Sequence, residues 1–93
     1  MSLNGEQRLT TARELRANLD LAGLDQTQLQ QLTGWSPQRV AATLDLDHAD
    51  PVDAWQLRDL LEQAACDAGR TPVAFTVLTE SARAAARGWF GID

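Results

Sequence analysis

The residues with the most chemistry to offer lie in the run SPQRVAAT: Ser36, Gln38, Arg39, Ala42 and Thr43. A glutamine can pair with an adenine edge, an arginine with guanine, and an alanine or a threonine methyl with the methyl of thymine. Carried on one helix, these side chains would suit a DNA major groove. Arg13 and Arg16, earlier in the chain, could touch phosphates, although such residues more often pair locally, here with Glu14 or Asp20. Other chemistry has less to stand on. Asp47, His48 and Asp50 sit together in a short linker, but their spacing fits no zinc site and serves no nucleophile. A lone histidine there reads as solvated. Cys66 is the only cysteine, has no basic neighbour to activate it, and is expected to be a small half-buried filler. The chain has no tyrosine, no lysine, no glycine-rich phosphate loop and no CxxC pair. No enzyme activity, cofactor, metal or small-molecule ligand is therefore expected.

The elements that would position the reading residues are written into residues 24–46. Asp25 can cap a helix, with Gln28 three residues on to complete a capping box and Leu24 and Leu29 at hydrophobic-staple spacing. Leu29 and Leu32 supply an apolar side, and Gly34 ends the helix. Ser36 then caps a second helix with Pro37 at its first position, and Trp35 and Val40 form a second staple. Val40, Ala41 and Leu44 face inward; Gln38, Arg39, Ala42, Thr43 and Asp45 face outward. Two capped helices three residues apart pack steeply, as in a helix-turn-helix. Gln30, four residues before the glycine, is long for such a crossing.

Around this unit the chain reads as further helices. Residues 1–9 are polar and expected to be flexible. Thr11 and Glu14 match a capping box, followed by Ala12, Leu15, Leu19 and Ala22 at helical spacing and by Gly23. Asp50-Pro51 opens a helix that ends at Gly69, with Ala54, Leu57, Leu61, Ala64 and Ala68 inward and Leu60 adjoining. Residues 70–78, RTPVAFTVL, hold a helix breaker and extended-preferring residues. They either wrap the bundle as an apolar strap or pair with a second copy, and the strap is the expected form. Thr79 caps a last helix, with Arg83 and Arg87 outward. Trp55, at the edge of the inward stripe, is expected in the core or at a subunit contact, and Trp89 and Phe90 on the core or on a partner; with Phe75 they are the candidates for a contact surface with another subunit. The expected fold is all-α: one compact five-helix bundle over residues 1–93, with an extended apolar strap before the last helix.

A chain of 93 residues, 44% of them hydrophobic and rich in alanine and leucine, suits one small helical domain. No apolar run is long enough to cross a bilayer, and MSLNGEQR lacks the apolar centre of a secretory signal, so a cytoplasmic location is expected. The net charge of −5 weighs against duplex DNA, but it is unevenly distributed. Residues 46–69 set Arg58 against Asp47, Asp50, Asp53, Asp59, Glu62 and Asp67, and the rest of the chain is near neutral. If the protein binds DNA, the acidic helix should face away from it. All eight basic residues are arginine, which favours bidentate contacts or reflects only a coding bias.

The runs SLNGEQR, LTGWSPQRV, DPVDAWQLRD and TPVAFTVLTE, with Trp89-Phe90 near the end, resemble a small family of uncharacterised bacterial proteins, a domain-of-unknown-function family. The resemblance spans nearly the whole chain and implies no particular activity. Five helices with the turn between the second and third also resemble lambda-repressor-like DNA-binding domains in layout, and layout is not function. Two readings follow. One is a helix-turn-helix DNA-binding protein, a transcriptional regulator acting as a homodimer. The other is a protein-interaction module using the same fold without DNA.

Overall fold

The computed structural model describes residues 4–79 and 81–83. Four helices are complete: α1 (Gly5–Ala22), α2 (Gln26–Thr33), α3 (Pro37–Asp45) and α4 (Pro51–Asp67). Residues 81–83 are helical, and no strand occurs among the described residues, so the fold is all-α. Each start has a local cause. Asp25 and Gln28 form the reciprocal capping box of α2, Ser36 accepts the Arg39 amide at the head of α3, and Asp50 accepts the Val52 amide at the head of α4. Gly34 ends α2 with a φ of 73°, a left-handed conformation open to glycine without strain. Thr79 accepts the Ala82 amide through its hydroxyl, the cap expected for the last helix.

Helix α1 begins earlier than its Thr11-x-x-Glu14 pattern suggests. The working capping box is Asn4 with Gln7, so the segment expected to be flexible contributes helical residues from Gly5 onward. Thr11 and Glu14 are interior residues of the helix, both buried. Helix α1 packs mainly on α4 and also on α3, α2 packs on α3, and α3 on α4. The core gathers Leu15 and Leu19 of α1, Leu29 of α2, Val40 and Leu44 of α3, and Ala54, Trp55, Leu57 and Leu61 of α4. Leu46 joins it from the turn after α3, in the left-handed region at φ 52°, so the acidic linker is anchored by an apolar side chain, with Ala49 also packed against the core. Three inward assignments shift. Leu32 is 60% exposed, because an eight-residue helix packed on α3 buries only Leu29 fully. Ala65, rather than Ala64 or Ala68, is the buried alanine near the end of α4. Cys66, next to it, points to solvent.

Residues 70–78 form neither helix nor strand, bend over 76–78, and lie across α1 and α4. Phe75 and Leu78 are buried in the core, so the strap is apolar where it touches the bundle, but polar groups hold it. Having no strand to pair with, it takes its hydrogen bonds from buried side chains. Asn18 does the work of a neighbouring strand. Its Nδ2 donates to the Val73 carbonyl at 3.0 Å, and its Oδ1 accepts the Val73 amide at 2.8 Å. One turn earlier, the Glu14 carboxylate accepts the Thr76 hydroxyl at 2.8 Å and the Thr76 amide at 3.2 Å. From α4, buried Arg58 donates its Nε to the Leu78 carbonyl at 2.8 Å and lies over the Phe75 ring. Trp55 and Phe75, at 5% and 7% exposure, are therefore core residues and not a contact surface; the ring of Trp55 also carries the guanidinium of Arg83. Trp89 and Phe90 lie outside the described residues.

Arg58 and Arg83 converge on Asp59. Arg58 Nη1 donates to Asp59 at 2.9 Å, Arg83 Nη1 donates to it at 2.9 Å, and Arg58 also approaches Glu62. Burial pushes the Asp59 carboxyl up, but the bonds from Arg83 and Arg58 outweigh it and hold the group below its ordinary value. The stabilisation is complete above the unfolded value near pH ~4 and fades as the pH falls through the lower folded value.

Two outcomes are expected. Asn18→Ala should destabilise the protein by about 2 kcal/mol, since it strips both bonds from the strap. Urea unfolding measures the loss, and amide exchange should accelerate at Val73 and Thr76 but not in α2 or α3. Asp59→Asn should melt below the wild type at neutral pH. The gap should narrow as thermal scans move below about pH 4, where the wild type loses the ion pairs the variant never had.

Candidate nucleic-acid interface

Helix α3 is held by one side and open on the other. Val40 and Leu44 fasten it to the core, while Ser36, Gln38, Arg39 and Asp45 are exposed and Ala42 is half-buried. By the 3.6-residue period, Gln38, Arg39, Ala42 and Asp45 share one stripe. Thr43 does not belong to it. It is buried, and its hydroxyl donates back to the Arg39 carbonyl at 2.7 Å, so its methyl is not available to a ligand. Ser36 is exposed, but its hydroxyl is occupied as the cap of α3. Gln30, at the α2 crossing, is half-buried.

The two cations nearest α3 are both engaged. Arg16 reaches from α1 to pair with Asp45 at the last turn of α3, a partner 29 residues away and neither of the local acids expected for it. Arg13 is exposed and makes no ion pair among the described residues. Arg39 is held at the other end. Its Nε and Nη2 donate to the two carboxylate oxygens of Asp53, each at 2.7 Å, and its guanidinium lies over the Trp35 ring, 4.4 Å from the centroid. The hydrogen bonds to Asp53, and then its charge and that of Asp50, raise the Arg39 pKa further, so the group stays charged. The paired arginines are spread over different seams. Arg16 marks the seam of α1 with α3, Arg39 that of α3 with α4, and Arg83 sits at Asp59 farther along α4. Arg87 lies outside the described residues.

Asp53 is the site residue that spacing did not single out. At the third position of α4 it reads as a helix-dipole residue, and only the packing of α4 beside α3 brings it to Arg39, 14 positions back. It also corrects the expected placement of the acidic helix. The first turn of α4 is not turned away from the exposed stripe of α3 but lies against it. Farther along α4, Asp59 is paired with Arg58 and Arg83, and Glu62 with Arg58.

His48, 96% exposed, stands 3.6 Å from Asp47 in a solvated pair. Among the described residues, no group of three or more His, Cys, Asp or Glu side chains is placed to hold a metal ion. An open groove of about 400 Å³ runs between the end of α2 and α4, lined by Leu32, Thr33, Trp35, Gln56, Asp59 and Leu60. No helix among the described residues is long and apolar enough to cross a membrane.

No curated protein and no solved structure matches the chain. One protein family does, described as "Uncharacterized protein conserved in bacteria (DUF2316)", over residues 1–91. The match covers the four complete helices and the strap together, and the chain belongs to this family of uncharacterised bacterial proteins.

Proposed function

We propose that α2, the Gly34-Trp35-Ser36 turn and α3 form a helix-turn-helix of DNA-binding type, in a lambda-repressor-like layout, and that the protein is a transcriptional regulator binding duplex DNA as a homodimer. The observation that carries the reading is the two-sidedness of α3. Val40 and Leu44 lock one side into the core, and Gln38, Arg39 and Ala42 stand together on the other, types that suit base edges. Arg13 on α1 supplies a phosphate contact, and Gln38 and Ala42 complement Arg39. The cation content of one protomer is small, so two copies presenting α3 to successive turns of the groove supply the affinity. A regulator of bacterial DNA works in the cytoplasm and needs no catalytic group.

A second reading, a protein-interaction module that does not bind DNA, draws on the groove beside α2 and on Leu32 at its rim. Under it, Leu32→Asp should abolish self-association or partner capture, and neither should depend on Gln38.

Fluorescence anisotropy with a random duplex pool, alongside the mass in solution, tests the first reading. Binding should appear at about 50 mM salt and fall steeply as salt rises. Arg13→Ala should lower the salt slope by about one per protomer at similar specificity. Asp45→Asn should strengthen binding several-fold, because it removes the negative charge on the reading stripe and frees Arg16 for phosphate. Absence of binding to any duplex at low salt would rule the reading out.

A further inference from the structure

The side chain best placed to read a base is also the most tightly held. A guanidinium carries five N–H groups, and Asp53 takes two of Arg39's, one on Nε and one on Nη2. Among the described residues, Nη1 and the second hydrogen of Nη2 have no acceptor, and the side chain is half exposed. The unused edge is the Nη1–Nη2 fork. Trp35 lies under the plane of the group and fixes its tilt, while Asp53, with only 10% of its side chain exposed, fixes its rotation.

We propose that Asp53, seated beneath α3 with Trp35, is a positioning residue that presents the free fork of Arg39 to guanine in the major groove. The proposal rests on the DNA-binding reading and names the base it would recognise. Two physical effects favour guanine over phosphate as the target. Asp53 cancels much of the charge of Arg39, which weakens the attraction to a phosphate anion. It leaves intact the two parallel N–H vectors that match the O6 and N7 acceptors of guanine. Holding the side chain before it binds also removes the loss of rotamer freedom that a flexible arginine would suffer on docking. An arginine meant for the backbone would gain the same preorganisation but give up the charge that draws it to phosphate.

Selection of sites from a random duplex pool, followed by affinity measurements on single-base variants, tests this with the full-length protein. The wild type should select guanine at one position of each half-site, by about 10-fold or more over the other bases. Asp53→Asn should lose that preference at that position alone. Its salt slope should stay the same or steepen, because the released guanidinium turns to phosphate. A purely structural role for Asp53 would instead weaken binding to every sequence equally. An unchanged guanine preference in Asp53→Asn, or none in the wild type, overturns the proposal while leaving DNA binding in place. No duplex binding by the wild type overturns both. Should Asp53→Asn fail to fold, Arg39→Gln on the exposed side of α3 carries the test. Its preference should move from guanine to adenine at the same position, and an unmoved preference overturns the proposal.

Discussion

A segment with neither a helix of its own nor a strand beside it must still satisfy its backbone, and this constraint organises much of the bundle. Residues 70–78 meet it through three side chains, Glu14 and Asn18 of α1 and Arg58 of α4. Glu14 and Asn18 are four residues apart, so they rise on one face of α1 and meet the strap at two successive points, Val73 and Thr76. Each polar group would be costly to bury alone. Together with the strap they close a set in which donors face acceptors, and Phe75 and Leu78 complete the core that Leu57 and Leu61 open. The strap therefore fixes α1 against α4.

That arrangement reaches the candidate interface by a short route. Helix α4 is placed by the strap and by α1, and its first turn carries Asp53 to the side of α3. At the far end of α3, Arg16 of α1 takes up Asp45. Both ends of the nine-residue helix are thus tied by ion pairs to neighbouring helices, and its middle is tied by Val40 and Leu44 to the core. A helix this short has little stability of its own. Its orientation comes from these tertiary ties, so changes on α1 or α4 act on the open stripe without touching it.

How much of this was legible in the sequence follows the range over which each cause acts. Caps and stops work within four residues, so Asp25 with Gln28, Ser36 with Pro37, Asp50 with Pro51, and Gly34 all mark element ends where the structure has them. The same logic misled at α1, because Thr11-x-x-Glu14 imitates a box that Asn4 and Gln7 form about two turns of helix earlier. A short pattern does not say whether its residues stand at an end or in the middle. Burial was harder to read. Thr43 looked available because helical periodicity fixes a direction but not what covers it; Trp55, at the edge of its stripe, and Phe75, in a segment without helical periodicity, were open to either side for the same lack of a covering element. The polar clamps were invisible, since Asn18 to Val73 spans 55 residues and Glu14 to Thr76 spans 62. An interior asparagine in a helix of polar character gives no sign that it stands in for a strand.

The net charge of −5 now has a different weight. It is a sum over groups that do not act equally. Asp45, Asp53, Asp59 and Glu62 each face an arginine, whereas Arg8, Arg13 and Arg70 make no ion pair among the described residues. Two of those three, Arg8 and Arg13, lie on α1, the helix that reaches α3 through Arg16. A duplex approaching α3 would meet a locally milder surface than the total suggests, but not a basic one. On the DNA-binding reading, sequence-independent attraction is then weak, since it scales with the phosphates neutralised. Affinity has to come from contacts made only on the right sequence, and those reward side chains already held in place. On that reading, a clamped arginine on a stripe whose other charge, Asp45, is paired with Arg16 is the arrangement such a protein needs. It sacrifices general attraction to DNA and keeps the difference between one base and another.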